Sequence, residues 1–200
     1  MKQKKTRIPL CATVAFSLIE DALCVYMHDS ELPQSVVHDD ESVSDTACRI
    51  FTTHTGISLV SLYLEQLYTF DAHDHLTISY FVLVPHRFAK TAQQGEWVPI
   101  ETFKKNHSVH EIIQYAYKRL RWKLEYTNIA FSLLPSTFTL TQLQKVYELI
   151  LKHTFDKRNF RRKILSLGLI TATGQTVTQA GRPAQLYRFK TRKPMIVQVL

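Results

Sequence analysis

Hydrophobic and polar positions divide the chain into two stretches with different periodicities. In the first, apolar residues come in short β-branched and aromatic runs. Thr13–Ile19 and Ala22–Met27 flank the polar pair Glu20-Asp21, which predicts a hairpin. Leu59–Phe70 and Leu76–Pro85 flank the polar turn 71–75 and predict a second hairpin, with Trp97–Ile100 as a further short strand. Between the hairpins, Val43, Ala47, Ile50 and Phe51 recur at helical spacing from Ser42 to His54, and Gly56 is placed to end that helix. Ser108-Val-His-Glu111 has the form of a capping box and predicts a long helix burying Ile112, Ile113, Ala116, Leu120 and Leu124. The same helix turns basic at Lys118, Arg119, Arg121 and Lys123.

The second stretch is mostly helical. Asn128–Leu134 reads as a short apolar helix stopped by Pro135. Thr139-Leu-Thr-Gln142 is a capping box, followed by a helix that buries Leu140, Leu143, Val146, Tyr147, Ile150 and Leu151. Asp156 caps a third helix, Lys157–Leu167, with Phe160, Ile164 and Leu167 inward and Gly168 at its end. Leu169–Thr171 and Gln185–Phe189 read as strands at either end of a glycine-containing loop. Helix, turn, helix, hairpin is the order of a winged helix-turn-helix. The expected boundary puts residues 1–125 in one domain and 126–200 in the other, without a flexible linker, because no Gly/Pro/Ser tract intervenes.

Charge sharpens this division. The chain carries +8 overall. Residues 1–117 hold 9 Lys/Arg and 14 Asp/Glu, net −5, and residues 118–200 hold 16 and 3, net +13. A small domain with that excess is built to meet a polyanion. Composition otherwise excludes more than it assigns. No apolar run reaches membrane-spanning length. The basic, then apolar, start runs into Glu20 and Asp21 without a small-residue cleavage site, so it reads as a strand and not an export signal. Cys11, Cys24 and Cys48 form no C-x-x-C pair and read as thiols of a reducing, cytoplasmic compartment. Asp71, His73, Asp74 and His75 have the residue types of metal ligands, but a tight turn explains them better, and no metal or other cofactor is expected.

The stretch from Ser35 to Ile57 resembles the Nudix box. Glu41, Arg49, Phe51, Gly56 and Ile57 fall on its first glutamate, arginine, apolar, closing glycine and last apolar positions. Ser35 stands at its first glycine, and Ile50, Thr53 and His54 stand where the family has glutamates. Hard divalent cations need several converging carboxylate oxygens, which this face lacks. The tail carries a second resemblance. The segments 126–135, 138–144, 156–163, 181–184 and 186–189 are similar to the Nudix-related transcriptional regulators. That resemblance implies an α+β chain, with a Nudix-like α/β/α sandwich followed by a C-terminal winged helix-turn-helix. It also implies a non-enzymatic repressor that acts as a homodimer on a palindromic operator in double-stranded DNA. Its effector would be a small molecule such as ADP-ribose or a sugar-related metabolite. By analogy, Ser35, Glu41, Arg49, Thr53, His54 and Tyr80 would line the effector pocket.

The DNA-facing residues follow from the third helix itself. Phe160 and Ile164 must face inward, leaving Lys157, Arg158, Asn159, Arg161, Arg162 and Lys163 outward. Arg158, Arg161 or Arg162 would fork onto guanine edges, with Asn159 and Lys157 on bases or phosphates. Lys163 and Lys145 would meet phosphates, and Arg182 in Gly181-Arg-Pro183 would enter a minor groove. Two alternatives stand beside this reading: a Nudix hydrolase acting on ADP-ribose or a nucleotide sugar, and an RNA-associated module.

Overall fold

The computed structural model describes residues 7–60, 62–71, 75–104, 109–179 and 182–200. The chain forms two compact units. One holds the residues up to Ile19 with Leu23–Tyr117; the other holds Glu20–Ala22 with Lys118–Leu200. They part within one helix, at the residue where the charge of the chain changes sign, upstream of the boundary expected at 125/126.

The first unit is built on strands β1 (Ile8–Ile19), β2 (Ala22–Met27), β3 (Gln34–Val36), β4 (Tyr63–Asp71), β5 (His75–Leu83) and β6 (Glu96–Pro99). Helices α1 (Val43–Thr55), α2 (His86–Ala89) and α3 (His110–Tyr126) complete it, α3 continuing into the second unit. The sheet order is β4-β5-β1-β2-β6, with β3 also on β1. Glu20 and Asp21 both have positive φ, 45° and 67°, as a two-residue hairpin turn requires. β1 runs parallel to β5 from Ile8↔His75 to Phe16↔Leu83, and its residues Cys11–Ser17 are buried on both faces. A central strand of a two-sided sheet reads as a continuous apolar run, as β1 does.

Helix α1 covers one face. Ser42 caps it by accepting from the Asp45 amide at 3.1 Å, and Gly56 ends it at φ 70°. Ala47 and Ile50 pack with Cys11 and Tyr80, while Phe51 joins Ala15, Tyr26 and Val82. In α3, Ile113, Ala116, Leu120 and Leu124 are buried as expected, but Ile112 is half-exposed. The Ser108 cap and the candidate ligands His73 and Asp74 lie outside the described residues. Among the described residues no three His, Cys, Asp or Glu side chains converge as metal ligands. No described helix is long and apolar enough to cross a membrane.

The second unit contains a 3₁₀ turn (Ile129–Ser132), β7 (Phe138–Thr139), α4 (Leu140–Leu151), α5 (Lys157–Ser166), β8 (Ile170–Gln179) and β9 (Arg182–Phe189), with sheet order β7-β9-β8. The capping box is complete: Thr139 Oγ1 accepts from the Gln142 amide at 3.2 Å, and Gln142 Oε1 accepts from the Thr139 amide at 2.8 Å. The six residues expected inward on α4 are its buried set. The hairpin differs from expectation. Most of the anticipated loop is strand, because the ladder absorbs Gly174 (φ 79°) in a register shift between Ala172 and Thr176.

Candidate nucleic-acid interface and sensor face

The turn between α4 and α5 is fastened by one carboxylate. Glu148 Oε1 accepts from the Phe155 amide at 3.0 Å and from Gln144 Nε2 at 2.9 Å, and Gln144 Nε2 also donates to the Phe155 carbonyl at 3.0 Å. Lys152 closes α4 in the left-handed region, φ 54°. Asp156 then starts α5 by accepting from the Asn159 amide at 2.8 Å. Phe160 and Ile164 are buried, with Phe160 against Tyr147 at 5.5 Å and Phe155 at 5.6 Å between ring centroids. Leu167, expected inward, is half-exposed. α5 is thus held by its apolar face, which fixes the direction of its polar one.

Lys157, Arg158, Asn159, Arg162 and Lys163 are exposed on α5. Arg162 donates to Asn159 Oδ1 at 3.0 Å, so these two form a preset pair. Arg161 differs from the others: it is half-buried and donates to Thr141 Oγ1 on α4 at 3.2 Å. Its Nε is buried without a hydrogen-bond partner among the described residues. One hundred degrees per residue places Arg161 at the edge of the buried stripe, a distinction that a list of outward cations does not make. Lys145 makes an ion pair with Asp21. Gly181 lies outside the described residues. Arg182 is the first residue of β9. Sequence reasoning missed Leu165, 47% exposed on the cationic helix; its spacing from Arg158 and Arg162 was the available signal.

In the first unit, Glu41 and Arg49 meet. Arg49 donates to Glu41 through Nε at 3.0 Å and through Nη2, and its Nη2 also reaches the Val36 carbonyl at 3.3 Å. The His38 amide donates to Glu41 Oε1 at 3.2 Å. The Arg49 guanidinium holds the Glu41 carboxyl down at about 2. The pair braces the segment before α1 against the helix. Ser35 sits opposite Cys11 in the β3–β1 pairing. Burial pushes the Cys11 thiol up to about 12, against the opposing pull of Arg49.

The three positions at which the Nudix box has glutamates have different surroundings. Ile50 is 1% exposed among Cys11, Ala47 and Tyr80. Thr53 is exposed. His54 Nδ1 lies 2.8 Å from the Ile50 carbonyl; a carbonyl only accepts, so Nδ1 carries the proton. Its ring meets His28 edge-on at 4.9 Å. Tyr80 belongs to the core beneath α1, with its hydroxyl 3.4 Å from Gln66 Oε1. Of the six residues assigned to the pocket by analogy, Ser35 and Tyr80 adjoin Cys11, and Glu41 is bonded to Arg49.

A surface cavity of about 340 Å³ lies elsewhere in the same unit, lined by Met27, Asp29, Ser30, Gln94, Gly95 and Glu96. Asp29, Ser30 and Gln94 all have positive φ. Gly95 permits the close approach there, since a Cβ would stand 2.3 Å from the Met27 carbonyl oxygen and 2.5 Å from the Tyr26 hydroxyl. None of these residues carries a motif, which is why the sequence did not mark them.

Residues 130–189 match the NrtR DNA-binding winged helix domain. The chain is 34% identical over 168 residues to a protein of Acinetobacter baylyi named ADPR responsive transcriptional repressor NtrR; the match covers 76% of this chain and 66% of that one, just under two thirds of its length. The structure of Shewanella oneidensis NrtR complexed with a 27mer DNA superposes with a TM-score of 0.76 at 26% identity, covering 90% of this chain and 93% of that one. A MutT/nudix family protein of Enterococcus faecalis shares the fold, with a TM-score of 0.68 at 20% identity over 95% of this chain and 89% of that one. The chain thus joins a Nudix-like domain to an NrtR-type winged helix and is a homologue of the NtrR and NrtR repressors.

Proposed function

We propose that the chain is a ligand-responsive transcriptional repressor whose Nudix-like domain senses a small molecule without hydrolysing it. The observation that carries this is α5, anchored through Phe160 and Ile164 so that Arg158, Asn159 and Arg162 stand outward at the start of the helix, where a helix-turn-helix reads bases. The unit that bears it is strongly basic, which supplies the phosphate attraction common to all duplex. The Shewanella protein of matching architecture was solved with DNA bound, which supports the same partner here.

The effector proposed is ADP-ribose, the compound named for the Acinetobacter relative. Hydrolysis of its phosphoanhydride would need metal-borne charge neutralisation. Ile50, Thr53 and His54 supply no carboxylate for that, while the Glu41–Arg49 brace keeps the local scaffold. The working form is a homodimer on a palindromic operator in the cytoplasm.

The test is fluorescence anisotropy against the DNA upstream of the protein's own reading frame, beside a shuffled duplex, at several salt concentrations. Preference for the upstream duplex that persists at moderate salt, and release on adding ADP-ribose, is the expected result. Equal, salt-sensitive binding to both duplexes would overturn the repressor reading. Metal-dependent turnover of ADP-ribose would overturn the sensor reading alone.

A further inference from the structure

Exposed leucines are common, but Leu165 stands where a repressor would be expected to keep charge. It is 47% exposed on a helix whose other exposed side chains are Lys157, Arg158, Asn159, Arg162, Lys163 and Ser166. At about 100° per residue, Arg162 lies about 40° from Arg158, and Leu165 about 20° to its other side. The buried Phe160 and Ile164 lie about 200° and 240° round from Arg158. Arg158, Arg162 and Leu165 therefore form one stripe, opposite the core. Arg161 is drawn off that stripe by its bond to Thr141 Oγ1 on α4.

We propose that Arg158, Arg162 and Leu165 are the base-reading stripe of this winged helix, and that Leu165 reads the 5-methyl group of a thymine in the major groove. This rests on the repressor reading above. The chemistry of each position matches what a major groove offers. A guanidinium pairs with guanine O6 and N7, and the thymine methyl is the one apolar group on a base edge there. The cations flanking Leu165 fix the occupant of this apolar spot: a polyanion that also carries methyl groups. A face made to pack on a second protein surface would not surround one leucine with cations. Arg161, braced on Thr141 at the start of α4, is left for the backbone, where contacts set position and carry no sequence.

The operator half-site would then carry thymine one or two steps from guanine. The experiment uses the full-length protein and its upstream duplex, with each half-site thymine replaced in turn by deoxyuridine, which removes only the methyl. Wild type and Leu165→Ala are titrated against the thymine and uracil duplexes. The expected result is that one uracil position weakens wild type about three- to fivefold, the scale for one methyl removed from water. Leu165→Ala should lose a similar factor on the thymine duplex and be indifferent to uracil at that position. Unchanged circular dichroism of the variant keeps the comparison about contact, since an exposed side chain has been trimmed.

Discrimination between thymine and uracil that persists in Leu165→Ala would overturn the assignment, as would a wild type indifferent to uracil throughout the half-site. A variant that shifts oligomeric state and weakens both duplexes alike would place Leu165 between protein copies and overturn it too. A wild type without preference for the upstream duplex over a shuffled one would remove the repressor reading itself, a result distinct from the other three.

Discussion

Placing a glutamate at the first of the three box positions, by Ile50→Glu, separates a proposed sensor face that merely lacks an acid from one whose core is closed over the position. Ile50 is 1% exposed and packs with Cys11, Ala47 and Tyr80. Removing a buried isoleucine forfeits about 1.5–3 kcal/mol of burial. The carboxyl that replaces it enters a site where the neighbouring donors are already engaged, Arg49 with Glu41 and the Tyr80 hydroxyl with Gln66. An unpaired buried polar group costs about 1–3 kcal/mol more, with the acid kept neutral by desolvation. The expected loss is about 3–5 kcal/mol, or about 1.5–2.5 M in urea midpoint for a slope near 2 kcal/mol/M. The two tryptophans lie one in each unit. In a Trp122→Phe background, Trp97, whose indole donates to the Ala89 carbonyl at 3.0 Å, therefore reports on the first unit alone. Thr53→Glu, at an exposed position, is the control and should stay within about 0.5 kcal/mol. An Ile50→Glu protein within about 1 kcal/mol of its parent, and stabilised by manganese, would refute the reasoning. Position 50 would then look towards a ligand.

Other consequences are direct. Glu41 is held at about 2 by Arg49, below the ordinary value of 4.5. A carboxyl depressed on folding adds stability above its unfolded pKa and loses it as pH falls through the folded one. The melting-temperature gap between wild type and Glu41→Gln should therefore be full above about pH 4.5 and close towards pH 2; a gap that widens on acidification would contradict the pairing. Gly95→Ala puts a Cβ against the Met27 carbonyl and the Tyr26 hydroxyl, so thermal melting should show the first unit destabilised by about 1–3 kcal/mol. Asp156→Ala removes the α5 cap and should cost about 1 kcal/mol. It should weaken specific and shuffled duplexes unequally in anisotropy, since the cap orders the base-reading turn.

Local rules made much of this legible. Caps at Thr139 and Asp156, the stop at Gly56 and the inward stripe of α4 all follow from short-range hydrogen bonding and the 3.6-residue period, which depend on neighbours in sequence. What was not legible depends on residues distant in sequence. Gly174 reads as a loop residue until its partner strand turns it into an irregularity of a continuing ladder. Arg161 reads as one cation among several until α4 offers Thr141 beside it. Tyr80 is placed near the box only by analogy in sequence, and the packing of β5 under α1 is what sets it against Cys11, Ala47 and Ile50. The cavity at Met27, Asp29 and Gly95 joins the end of β2 to the segment before β6, a meeting that no motif encodes.

The fate of the Nudix-like helix follows from the different work its residues do. Glu41 and Arg49 act on one another, and their pairing fixes how the chain enters α1; that remains useful whatever the domain binds. The absent glutamates would act only on a cation. On the proposed sensor reading no cation has to be held there, and each position carries a residue that suits its surroundings. At position 50, against Cys11 and Ala47, that is an apolar side chain that adds to the core. At position 53, in solvent, it is a small polar one. At position 54 it is an imidazole locked by its own helix carbonyl and by His28, which stiffens the end of α1 beside Gly56. Two of the positions that offer a cation no carboxylate, Ile50 and His54, instead tie α1 to its surroundings. A sensor of the proposed kind would gain from this, since its ligand would not be consumed.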